Sequence, residues 1–210
     1  MVSAEKQGSM GGAEKIPGTE SVARVFDEKL PEIRGIGELR FGGELFTSPV
    51  LLDGEKGSGE IEKQSNTVEE KAKRLGKKLF DVSNVYLINL GDAVYEAAFN
   101  TMKHASGGLI AFRELEREDG EKGLQVLCLD KGEGIEDLVA EHRRSWSKVG
   151  LERRGLLKIV SAPSELVVES RGRTYVKEGL DGELKQADRV GVADGTVVKM
   201  TFWEKDVKKI

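Results

Sequence analysis

Residues 84–135 read NVYLINLGDAVYEAAFNTMKHASGGLIAFRELEREDGEKGLQVLCLDKGEGI. In the first part, Val85, Leu90, Val94, Ala97 and Met102 recur at helical spacing and predict a helix over about 84–104. Asp81 or Ser83 is placed to cap it, and Ser106-Gly107-Gly108 to end it. At Leu109 the period changes. LIAFREL (109–115) and LQVLCLD (124–130) are rich in apolar, β-forming residues, and the turn REDGEKG between them contains glycine. They predict an antiparallel hairpin.

Working upstream, Val68, Ala72, Leu75 and Leu79 predict an amphipathic helix over about 67–80. Asn66 and Glu69 form a capping-box-like start for it. DGEKGSGEIEKQS (53–65) reads as a polar, Gly-rich linker. The runs VARVF, GELRF and ELFTSPVLL within 22–53 are β-like and broken by Gly35, Gly37, Gly42 and Gly43, so residues 21–65 read as an N-terminal extension with short strands. Residues 1–20 are almost without apolar content and read as a disordered tail. Downstream, a third helix is expected over about 152–161. ELVVESR, RTYVKEG and GTVVKMTFW follow as strands, the last in the sheet interior, and the charged insert GLDGELKQADRVGVAD reads as an exposed loop or extended hairpin. Without regular βαβ alternation, the order of elements argues for an α+β layered sandwich over a doubly wound parallel sheet.

Composition bounds the function. At 210 residues the chain buries a core without disulfides or a structural metal. A net charge of −4 argues against a general nucleic-acid binder held by a basic field. The lone Cys128 excludes an intrachain disulfide and a cysteine zinc site, and two histidines exclude a histidine-rich metal site. Apolar runs fall far short of the roughly 18 residues that span a bilayer, and the start has no apolar signal region, so a cytoplasmic protein with no membrane partner is expected.

Four short patterns carry the chemistry. On the predicted second helix Asn89, Asp92, Glu96, Asn100 and Lys103 share one face, either a solvated face or a ligand-facing stripe. Glu96 and Asn100 lie one turn apart, so both reach one bound group: a carboxylate accepts a proton, and an amide oxygen ligates Mg²⁺. Asp130-x-Gly132-x-Gly134 follows an apolar strand. It is either a plain turn or a bare surface on which a flat ligand lies, with an acceptor suited to the exocyclic amine of adenine. VGLERRGLL (149–157) leads a Gly-bearing loop into a helix whose N-terminus suits phosphate, with Arg153 and Arg154 nearby. Gly195-Thr196 precedes the final strand.

An E-x-x-x-N helix, a D-x-G-x-G turn, a Gly-containing loop and helix, then Gly-Thr before a last strand, in that order, resembles the GHKL ATPase superfamily, the nucleotide-binding fold of gyrase, Hsp-type chaperones, histidine kinases and MutL. Residues 66–210 correspond to its ATP-binding domain, and within the superfamily the anti-sigma factor serine/threonine kinases are most similar. The resemblance implies a two-layer α/β sandwich with a mixed, mainly antiparallel sheet and helices on one face. It implies Glu96 as general base and Asn100 as Mg²⁺ ligand. It implies nucleotide contacts from Lys103, His104, Asp130, Gly132, Gly134, Gly155 and Thr196. ATP and Mg²⁺ are the cofactors implied, and a sigma factor or an antagonist-like protein is the partner; a homodimer is left open. The loop over about 136–154 would cover the phosphates, with Trp146 over the nucleotide, on a partner or simply packed, and His142 at the surface.

Leu157 stands where those kinases carry a further glycine, which raises the alternative of a non-catalytic, partner-switching nucleotide module. A sensor histidine kinase is not expected, because neither His104 nor His142 precedes the domain. A gyrase-like or MutL-like ATPase is not expected either, as no transducer segment follows residue 210.

Overall fold

The computed structural model describes residues 22, 26, 38–41, 43–82, 84–147 and 154–208. The expected tail (1–20), Arg153 and the last part of the covering loop (148–153) lie outside the described residues, as do the side chains of Trp146 and Arg154. Strands β1 (Glu38–Phe41) and β2 (Glu44–Asp53) lead into helix α1 (Ser58–Phe80). A 3₁₀ turn (Asn84–Leu87) precedes helix α2 (Ile88–Ala105). Strands β3 (Gly107–Glu116) and β4 (Lys122–Asp130) form the hairpin, followed by helices α3 (Leu138–Ser147) and α4 (Arg154–Ser161). Strands β5 (Glu165–Ser170), β6 (Arg173–Glu178), β7 (Lys185–Val190) and β8 (Thr196–Trp203) and the short helix α5 (Glu204–Val207) complete the chain.

The fold is α+β. One eight-stranded sheet has the order β1-β2-β3-β4-β8-β5-β6-β7. Every neighbouring pair is antiparallel, which corrects the expected mixed sheet. Strand β8 is last in sequence yet lies between β4 and β5, because TVVKMTFW is apolar enough to be covered on both faces.

Alternation along the strands divides the core into two. Ile110, Phe112, Val126, Cys128, Val168 and Met200 face α1, α2 and α4 in the larger cluster. Leu109, Ala111, Leu127, Leu129 and Val197 face the other way, in a cluster that takes in Val22 and Phe26. Those two residues of VARVF are helical, not extended, while the described helices α1 to α5 all contribute to the larger cluster on the first face.

Several local readings change for physical reasons. Helix α1 starts at Ser58, so the 53–65 linker reading fails and position 65/66 is mid-helix. Asn66 and Glu69 cap nothing there; tertiary burial of Ser65, Val68 and Ala72 against the sheet overrides Gly59 and the polar run 60–65 that suggested a linker. Asp81 takes the left-handed conformation that ends α1 (φ 48°) and does not start α2, whose first residue follows Leu87 without a side-chain cap. Val85, expected on the buried face, is 64% exposed because the 3₁₀ turn rotates it outward. Ser106, φ 56°, ends α2 and donates its N–H to the Thr101 carbonyl. The 179–194 insert supplies β7, an edge strand on β6.

Candidate functional site

Cross-strand register creates the site. Gly108 lies opposite Asp130, Asp130 opposite Thr196, and Thr196 opposite Ser170, so the ends of four strands meet at one level. Helix α2 crosses above that level. Its apolar face is held down by Leu90, Val94 and Ala97, and by Thr101, whose Oγ1 lies 3.0 Å from Cys128 Sγ. Burial pushes the Cys128 thiol up to about 12, so it is an inert packing group. With that face fixed, Glu96, Asn100 and Lys103 turn toward a cavity of about 670 Å³ between α2, α3, α4 and the strand ends. That volume is in the range of small-molecule sites, roughly 300–1,000 Å³.

The structure brings together every site residue named from the sequence: Glu96, Asn100, Lys103, His104, Asp130, Gly132, Gly134, Gly155 and Thr196 all line this cavity. Lys103 and His104 are exposed at its rim. Of the polar stripe, Asn89 and Asp92 do not line it. Leu157 does not line it either; its helical neighbour Leu156 does. The covering segment is helical over α3, which contributes Leu138, Glu141 and Ser145 to the wall. His142 on α3 is half-buried, and burial beside Lys177 lowers its pKa.

The floor is Asp130 and the turn after it. Asp130 Oδ1 accepts the Gly132 N–H at 2.9 Å. Burial raises the Asp130 carboxyl above its ordinary range, against the pull of hydrogen bonds from Gly132 and from the Thr196 hydroxyl and N–H. Gly134 has φ +78°, and a Cβ there would stand 2.5 Å from Ser170 Oγ. Ser170 is one residue the sequence reading missed. Its Oγ accepts the Ile135 N–H at 2.8 Å, and its hydroxyl donates to the Gly195 carbonyl at 3.3 Å, tying the Gly132–Gly134 turn to the Gly-Thr turn. Arg171 Nε donates to the Glu133 carbonyl at 2.7 Å, and Arg173 and Tyr175 donate to that of Glu136. The available signal was alternation: Leu166, Val168 and Ser170 share one buried face, so a serine there needs partners.

The opposite wall is where α2 meets α4. Gly155 packs on Glu96 so closely that a Cβ would lie 2.4 Å from Oε2. Lys158, one turn along α4 and also missed, places Nζ 2.8 Å from Asp92 Oδ2 and 3.9 Å from Glu96 Oε1. Burial raises the Glu96 carboxyl; Lys158 pulls it down and the Asp92 charge raises it. Glu96 is therefore expected to titrate above its ordinary 4.5 by carboxyl ¹³C NMR. Lys158→Met should move the midpoint further up and Asp92→Asn should move it down. Between the ordinary and the raised value the folded chain holds the extra proton, so stability from this group falls as pH rises through that window. A midpoint at or below 4.5 contradicts the geometry.

The arrangement offers an acceptor and a side-chain-free turn at one end and a carboxylate with a neighbouring amide at the other. Among the described residues no three carboxylate, imidazole or thiol groups cluster as a metal cage. Asn100 contributes one neutral amide to the cavity wall, a group whose oxygen is of the kind that ligates hard divalent cations. No described helix is long and apolar enough to cross a membrane. Compared with models of known families, with curated proteins and with solved structures, the chain matches none.

Proposed function

We propose that this chain is an Mg-ATP-binding regulatory protein serine/threonine kinase of the GHKL, anti-sigma type. The observation that carries the reading is that Glu96 and Asn100, from one helix, and Asp130, Gly132, Gly134 and Thr196, from two strand ends, line one cavity. In this reading Asp130 and Thr196 hold adenine over the bare turn, with Asp130 accepting from its exocyclic amine. Guanine presents a carbonyl there and leaves two buried acceptors opposed. Gly155 at the start of α4 and Lys103 would hold the triphosphate, the helix dipole and the lysine charge both favouring an anion there. Asn100 holds Mg²⁺, which supplies neutralisation of phosphate charge when bound. Glu96 accepts the proton of an incoming protein hydroxyl as its oxygen bonds the γ-phosphorus and the bond to the ADP oxygen breaks. The protein substrate would be a sigma factor or an antagonist of the same kind.

One observation favours a second reading, a non-catalytic partner-switching module. Glu96 packs against Gly155 with the Lys158 ammonium 3.9 Å from Oε1, so α4 crowds the carboxylate that would accept the proton. Titration calorimetry with ATP and Mg²⁺, with a GTP control, followed by mass spectrometry for phosphate on a co-purifying protein, tests both. Binding of ATP over GTP with phosphate transfer is the expected result. Binding without transfer selects the module, and no binding of either nucleotide overturns both readings.

A further inference from the structure

A second cavity, of about 920 Å³, lies on a different part of the surface, between the exposed side of α1, strand β2 and the 3₁₀ turn before α2. Its floor is apolar: Val50, Val85 and Ile88. Val85 and Ile88 are 64% and 47% exposed, and nothing in the nucleotide reading uses them. Its rim is basic. Thr67, Lys71, Arg74 and Lys77 recur along one side of α1, with Lys73 beside them.

The charges on this rim are unevenly compensated. Lys73 is neutralised within its own helix, 2.5 Å from Glu69 and 3.5 Å from Glu70, the one acid on the rim. Lys71 Nζ donates to the Ser48 carbonyl at 2.8 Å, which leaves its charge uncancelled, and Arg74 beside it lowers its pKa after burial does. Arg74 and Lys77 are exposed and enter no ion pair among the described residues. The groove is therefore an apolar floor under an unbalanced row of cations on a chain whose net charge is −4.

Three classes of occupant carry negative charge. A phosphate backbone offers no apolar face for Val85 and Ile88, and an acidic chain repels it elsewhere. A membrane surface needs a broad, projecting apolar face, whereas this one is concave. An amphipathic peptide with acids flanking apolar side chains meets both the floor and the rim.

We propose that this groove docks an acidic, amphipathic helical segment of a partner protein, with apolar side chains on Val50, Val85 and Ile88 and carboxylates on Lys71, Arg74 and Lys77. The proposal does not rest on the nucleotide reading, since none of these residues lines the first cavity.

The test is selection from a displayed library of random peptides about 15 residues long, enough for roughly four helical turns, on the full chain. Enriched sequences are expected to hold an excess of Asp and Glu with apolar residues three and four apart. Synthetic versions should bind at least about tenfold more weakly to the Arg74→Glu/Lys77→Glu variant and in about 0.5 M than about 0.05 M salt. A second variant, Val85→Asp/Ile88→Asp, should lose binding as well. Both pairs are exposed, and circular dichroism checks that each variant keeps the parental melting temperature. Enrichment without acidic excess, equal binding by Arg74→Glu/Lys77→Glu, or no enrichment overturns the proposal. So does retention of phosphatidylserine vesicles or duplex DNA through Arg74 and Lys77 in place of peptides.

Discussion

Glu96→Gln is expected to lower phosphoryl transfer by about 10²- to 10⁴-fold while ATP affinity stays within about threefold, because a positioned base acts in the transition state and not in ground-state binding. The substitution is close to isosteric, so the tight contact with Gly155 and the α2–α4 packing are kept. It also removes a carboxylate whose charged form burial disfavours, so the melting temperature should not fall, although the 3.9 Å attraction to Lys158 is lost. The measurement is single-turnover transfer of labelled γ-phosphate to the protein acceptor beside calorimetric ATP binding. Transfer at the parental rate with binding intact removes Glu96 from the chemistry. Loss of binding and transfer together assigns it to nucleotide contact.

Asp130→Asn is the second large effect. Asn keeps an oxygen for the Gly132 N–H, now 2.9 Å from Asp130 Oδ1, and the Thr196 hydroxyl can turn to accept from the new N–H₂; circular dichroism checks that the variant keeps its fold. The remaining atom becomes an N–H₂ that meets the adenine amine donor to donor. Losing a hydrogen bond to a charged acceptor costs about 1.5–3 kcal/mol, which is about 10- to 100-fold in affinity. The same N–H₂ suits a guanine carbonyl, so the preference for ATP over GTP should collapse. Calorimetry with both nucleotides decides it: unchanged ATP affinity, or an ATP preference that persists, takes Asp130 out of base recognition.

Much of this molecule follows from local chemistry. The hairpin of β3 and β4 and the interior position of β8 come from runs too apolar to lie anywhere but in a covered sheet. Glu96, Asn100 and Lys103 share a helix face because α-helical spacing leaves no alternative. Asp130, Gly132 and Gly134 form a turn because the strand ends there and Gly134 needs φ +78°.

Other parts depend on residues far apart in the chain. Helix α1 runs through Gly59 and a polar stretch that by themselves read as a linker, since the burial of Ser65, Val68 and Ala72 outweighs propensity. Ser170, Arg171 and Lys158 are unremarkable in sequence and gain meaning only from what they face: the turn carbonyls and N–H groups, and the Asp92 and Glu96 carboxylates. The basic groove is of the same kind, because Lys71, Arg74 and Lys77 become a rim only when β2 and the 3₁₀ turn bring Val50, Val85 and Ile88 beneath them. The sequence alone determined the periodic elements and the residue types along each face, which are local properties of the backbone. The tertiary structure decided the cross-strand register, and with it that Asp130, Thr196 and Ser170 stand side by side across from Glu96, because register is fixed by long-range burial and not by any one segment.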